Sequence, residues 1–173
     1  MPVSLVQRFN LVLAVYVALA IGAAYGLPFL RIAPNRLLSG EPVYLSDVLQ
    51  QQGSPLVFAL VVAIFALICI AVWQPKRRIT QALVSLAMAA GLAGLWLLAG
   101  QSANFATQAE NPLTRTALGA GFWTMAAMTW MIALDAIDRL QLTTLRRLLF
   151  QGALLLPLLL SLNEGRHLSI AQE

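Results

Sequence analysis

Five stretches of nearly uninterrupted apolar residues dominate the chain. Crossing the hydrocarbon of a bilayer takes about 20 such residues in a helix. The first stretch runs from Leu11 to Leu30, preceded by Arg8 and Asn10 and ended by Arg31. The second, Pro55 to Trp73, carries no charge, and the third runs from Ile79 to Ala99. The fourth runs from Thr116 to Leu134 and stops at Asp135. The fifth, Leu148 to Leu162, reaches spanning length if it begins near Leu142 and Arg146 and Arg147 snorkel to the headgroups. Ser54-Pro55 and Asn111-Pro112 each set a capping side chain before a proline at a first helical position, where the missing N–H costs nothing. The fourth helix is therefore expected to start near Pro112. The pattern predicts an all-α fold, a polytopic transmembrane bundle with about five spanning helices. They fall at about 11–30, 55–73, 79–99, 112–134 and 142–162, in one domain over residues 1–173. The first run continues past Ala20–Ala24 to Leu30, longer than the apolar core of a signal peptide, so it is read as a retained helix.

The longest polar connection, 31–54, is rich in turn residues: Pro34, Gly40, Pro42 and Gly53. Within it Ser46 is placed to cap a short helix through Gln52 that Gly53 ends. Leu45, Val48 and Leu49 give that helix an apolar side to rest on the bilayer surface. Lys and Arg in short connections set orientation. With the N-terminus inside, Arg8, Lys76, Arg77, Arg78, Arg139, Arg146 and Arg147 lie on the cytoplasmic side. Arg31, Arg36, Arg115 and Arg166 lie on the other. The expectation is a multi-pass protein of a bacterial inner membrane, with its N-terminus cytoplasmic and its C-terminus periplasmic.

Composition supports this. Of 173 residues, 60% are hydrophobic and 10% charged, against about 25% charged in soluble domains. The net charge of +4 sits in loop clusters without interleaved aromatics, so no nucleic-acid partner is expected. Cys69 is the single cysteine and His167 the single histidine. They exclude an internal disulfide and leave no metal-ligand set. HExxH, GxSxG and P-loop patterns are absent and the span centres carry no charge. No catalytic residue, cofactor or enzymatic activity is expected.

The remaining candidates are structural or docking features. Ala18/Gly22, Ala87/Gly91, Ala90/Gly94 and Ala117/Gly121 repeat small residues at a spacing of four, which lets helix backbones approach in lipid. Gly119 stands beside the last pair. Trp73, Trp96, Trp123 and Tyr25 fall near span ends, as an interfacial belt would. A cage of such rings around a quaternary ammonium ion is the other use of them. Arg36 with Glu41, and Arg115 with Glu110, form candidate outer ion pairs, either solvated or docking points for an external protein. Asp135 and Asp138 sit at the end of the fourth helix, where acids oppose the macrodipole. That implies either continuation of the helix to Arg147 or a specific partner.

Three segments carry a family likeness: Ala33-Pro34-Asn35-Arg36-Leu37 with Ser39-Gly40-Glu41; Arg115-Thr116 through Gly119, Gly121, Phe122 and Trp123; and Asp135-Ala136-Ile137 with Arg139. In their order and spacing they resemble the N-terminal membrane region of a bacterial ABC-transporter permease for glycine betaine and related osmoprotectants. The likeness covers roughly 30–170. It implies an accessory domain that does not transport alone. The implied partners are the lipid bilayer, a downstream permease core not contained in these residues, an ATP-binding subunit and a periplasmic binding protein. The chain is then expected to be an excised or split N-terminal region. A free-standing membrane scaffold or assembly protein, and a membrane module sensing a betaine-like ligand, are the alternatives.

Overall fold

The computed structural model describes residues 10–33, 41–52, 55–74, 76–108 and 115–154. Along the chain, α1 (Leu11–Gly26) leads into β1 (Leu30–Ala33), β2 (Glu41–Val43) and the short α2 (Leu45–Gln52). Then come α3 (Pro55–Trp73), the long α4 (Arg78–Gln108), β3 (Arg115–Leu118) and α5 (Ala120–Arg139). A further helical segment covers 144–154.

The fold is mostly helical, but it is not all-α. The three strands make an antiparallel sheet in the order β2-β1-β3. Leu30 pairs with Val43 on one side and Leu118 on the other, and Ile32 with Glu41 and Thr116. Two expected helix boundaries change as a result. The first helix ends at Gly26 rather than Leu30, because Leu27 precedes Pro28 and takes an extended conformation, φ −119° and ψ 141°. The apolar run continues beyond it as strand. The fourth helix begins at Ala120, after the strand Arg115–Leu118; its proposed start at Pro112 lies outside the described residues.

Other boundaries shift less. The second helix spans Pro55–Trp73 as expected, whereas the third continues past Ala99 to Gln108. At 31 residues, α4 is about 46 Å long. Ser46 does not cap α2, which starts one residue earlier. The Tyr44 carbonyl accepts from Asp47 N (3.1 Å) and Val48 N (3.3 Å), and the Asp47 carboxylate accepts from Tyr44 N at 3.3 Å. On the apolar side of α2, Val48 is buried in a cluster that also holds residues of α1, β1, α4 and α5, while Leu45 and Leu49 are half-buried. Gly53 lies outside the described residues.

Arg78–Ala99 and Ala120–Arg139 are long and apolar enough to cross a membrane; α3, Pro55–Trp73, is an apolar helix of 19 residues and α1 a shorter one of 16. Of the five expected spans, the third and fourth coincide with candidate spanning helices among the described residues. Of the fifth, 142–162, residues 144–154 are helical and the remainder lies outside the described residues.

The helices are arranged around α5, which packs on α1 and α4, while α3 packs on α4. α1 and α5 run antiparallel, since the start of α1 meets the end of α5 at one end and the sheet joins them at the other. The interior divides into two layers. The layer away from the sheet holds Leu13, Ala71, Val84, Met88, Ala133 and Ala136. The layer under the sheet holds Phe29, Leu30, Leu92, Phe122 and Met125. Leu11, Leu86, Leu97 and Ile79 are each at least 65% exposed. In lipid such side chains cost nothing, and cohesion rests on close packing and internal hydrogen bonds.

Candidate functional site

The two ends of the bundle carry its polar and conformational specialisations. At the sheet end, α5 is fastened to the corner between α1 and β1. Gly119 N donates to Phe29 O (2.8 Å) and Gly121 N to Pro28 O (2.9 Å). These contacts demand glycine. A Cβ on Gly119 would overlap the Pro28 carbonyl, and one on Gly121 would lie 2.5 Å from Leu27 O. The neighbour approached is thus the turn 27–29, not another helix. Gly91 lies 3.8 Å (from its would-be Cβ) from Thr129 of α5, whereas Gly22 and Gly94 face open space. The repeat of small residues at Ala18/Gly22 therefore packs nothing at Gly22.

Four rings stand over this junction. Phe122 is fully buried, 5.6 Å from Phe29 and 4.5 Å from Trp96, centroid to centroid. Trp123 lies 5.4 Å from Phe122 and 6.0 Å from Trp96, each edge to face. Such tilted contacts are the favourable geometry for aromatic pairs. Ring faces are turned to ring edges here, so these four pack a junction rather than enclose a cation. Trp73, 74% exposed, stands at the opposite end of the bundle.

At that opposite end lies a polar clasp. Asn10 is buried and uses every group it has. Its Oδ1 accepts from Leu13 N (3.2 Å), capping α1. Its Nδ2 donates to Asp135 Oδ2 (2.8 Å) and its backbone N to Val72 O (3.2 Å), tying α1 to α5 and α3. Asp135 also receives Arg139 through Nε (2.8 Å) and Nη2 (3.2 Å). Asp138 receives Arg147 (2.8 Å) and Gln151 (3.3 Å) from the next helical segment. The two acids at the end of α5 therefore have partners within the chain. Helix continuation to Arg147 does not occur. α5 ends at Arg139, and Gln141, with φ 53°, turns the chain while its amide accepts from Arg78 (2.9 Å).

Of the sequence-derived candidates, Gly119, Gly121 and Trp123 come together at the sheet end and Asp135 lies in the clasp. Glu41 is exposed on β2, opposite Ile32. Arg115 opens β3 opposite Ala33. Arg36 and Glu110, and with them both proposed outer ion pairs, lie outside the described residues. Asn10, Phe29 and Gln141 were not anticipated. The signals were present: Asn10 stands one residue before an apolar run, and Gly26-Leu27-Pro28 interrupts that run. Among the described residues no group of His, Cys, Asp and Glu is arranged to hold a metal ion.

A mostly helical, lipid-compatible bundle with a small sheet tying its loops at one end suits a membrane component of a larger machine. The family described as the N-terminal domain of the ABC transporter permease YehY matches residues 7–171. The chain belongs to this family. No curated protein and no solved structure matches it. The permease N-terminal domain is thus a transporter component of the inner membrane, working with an ATP-binding subunit.

Proposed function

We propose that this permease N-terminal domain is an accessory domain of an importer for glycine betaine or a choline-type osmoprotectant, packed beside the translocating core. It presents its sheet end to a periplasmic binding protein and does not move substrate by itself. The observation that carries this reading is the pairing of β1 with β3. With the pairing of β1 and β2 it joins residues 30–33, 41–43 and 115–118 into one small surface at the end of the bundle away from Lys76, Arg77 and Arg78. The choice of substrate rests on the sequence resemblance alone.

The interior favours the accessory role. A path for a zwitterion through hydrocarbon needs polar or aromatic groups along a continuous cavity. Here the buried layers are almost wholly Ala, Leu, Ile, Val, Met and Phe, with Gln81 and Thr80 near one end. The aromatic rings at the sheet end pack on one another, which disfavours a betaine-sensing cage.

Proteoliposomes test the proposal. The chain alone should take up radiolabelled glycine betaine no faster than protein-free vesicles, with or without ATP. Joined to the permease core, ATP-binding subunit and binding protein of its own transporter, it should support ATP-dependent uptake. Saturable uptake by the chain alone would overturn the accessory role. ATP-dependent uptake of a different solute, with none of betaine or choline, would overturn the substrate assignment.

A further inference from the structure

We propose that the groove between α1 and α3 holds an acyl chain of an anionic phospholipid, whose headgroup rests on Lys76 and Arg77. This inference is independent of the transported substrate. Because α1 packs chiefly on α5, and α3 on α4, an apolar groove of about 280 Å³ stays open between α1 and α3. Its walls include Ala14, Ala18 and Ile21 from one helix and Phe65, Cys69 and Trp73 from the other. Ala14 and Ala18 are the small residues that leave the space.

The groove has a direction. The hydrogen bond from Asn10 N to Val72 O pins the two helices together at the Trp73 end. From Ala14 to Ile21 the groove rises about 10 Å along α1. That is within the roughly 15 Å of hydrocarbon in one leaflet. A helix about 10 Å across would occupy roughly 800 Å³ over the same length, so the space favours a narrower occupant. Trp73 is largely exposed at the mouth, the depth at which tryptophan marks the headgroup boundary.

Charge at that mouth selects the headgroup. Lys76 and Arg77 are exposed and three and four residues beyond Trp73, hence within about 14 Å of it along the chain. Arg78 is held by Gln141, and the Arg77 side chain makes a long bond to Gln74 (3.3 Å). The carboxylates on the neighbouring elements, Asp135 and Asp138, are already paired with Arg139 and Arg147. Lys76 and Arg77, both exposed, supply the positive charge that draws anionic lipid to a membrane surface.

The test uses the whole chain in detergent with equimolar dioleoyl phosphatidylglycerol and dioleoyl phosphatidylcholine. Native mass spectrometry reads the lipid retained, and N-ethylmaleimide alkylation of Cys69, the sole cysteine, reads occupancy of the groove. Phosphatidylglycerol should be retained about tenfold over phosphatidylcholine and slow Cys69 alkylation at least fivefold. Lys76→Gln with Arg77→Gln, both on exposed side chains, should reduce the preference below twofold without loss of folding. Ala18→Phe should displace both lipids. Equal retention of the two lipids, or a preference that survives removal of both charges, overturns the proposal. So does a dimer that shields Cys69 without lipid, because a second copy then fills the groove.

Discussion

Gly119 and Gly121 sit where one added methyl group meets main chain rather than a movable side chain. The carbonyls of Leu27 and Pro28 cannot retreat without opening the corner that joins α1 to β1. Gly119→Ala should therefore cost about 2 kcal/mol or more, read as a lower thermal midpoint in detergent. Gly22→Ala and Gly94→Ala, which face open space, should be neutral or stabilise by up to about 1 kcal/mol through helix propensity. An equal response at all three glycines would remove the close-approach argument. Gln141 poses the converse case. Its φ of 53° lies in the left-handed region, which costs a side-chain-bearing residue roughly 1–2 kcal/mol. Gln141→Gly and Gln141→Ala both lose the bond to Arg78, so their difference isolates the backbone. The glycine variant should be the more stable by about 1 kcal/mol.

The elements differ in how plainly the sequence announces them. α3 and the start of α4 are bounded by Pro55, Trp73 and the basic turn 76–78, and a reading of apolar runs finds them. The sheet is hidden by that same reading. β1 is four residues continuous with the apolar run of α1, and β3 is four residues at the head of the run of α5. Strands so short have no alternation to detect, and their pairing partner lies more than eighty residues away. Gly26 and Pro28 were the local evidence for a break, outweighed by an apolar length that suited a span. The site was legible in the same measure. Glycine spacing pointed to a close approach, but not to a turn as the surface approached. The acids of α5 implied a partner, but composition cannot say that Asn10 is one. The pairing itself is testable. Phe29 and Gly119 are joined by a hydrogen bond, so by antiparallel alternation Ile32 and Thr116 form a non-bonded pair with Cα atoms about 4.5 Å apart. That distance accepts a disulfide. Ile32→Cys with Thr116→Cys, in a Cys69→Ala background, should cross-link on mild oxidation. Ile32→Cys with Leu118→Cys, offset by two residues, should not. Cross-linking of the offset pair alone would mean a different register.

At the scale of the whole molecule the fold separates charge between two ends. The sheet end carries Arg31 and the first residue of β3, Arg115. The clasp end gathers Lys76, Arg77, Arg78, Arg139, Arg146 and Arg147 around two carboxylates that are already paired. Basic residues in short connections are retained on the cytoplasmic side of a membrane, so the clasp should face the cytoplasm and the sheet the periplasm. Glu41, in β2, and Gln74, just after α3, are both exposed and mark the two ends. Glu41→Cys and Gln74→Cys, each in a Cys69→Ala background, can be treated on intact cells with a membrane-impermeant thiol reagent. Glu41→Cys should be modified and Gln74→Cys protected, with both modified after lysis. The opposite result would invert the domain and place the sheet against the ATP-binding subunit, leaving it no access to a periplasmic protein. The orientation also depends on a small number of charges. Replacing Lys76, Arg77 and Arg78 together by Gln removes three of the six basic residues described at the clasp end while leaving the sheet end unchanged. Gln74→Cys should then become measurably modified in intact cells if charge, rather than the order of insertion, sets the topology.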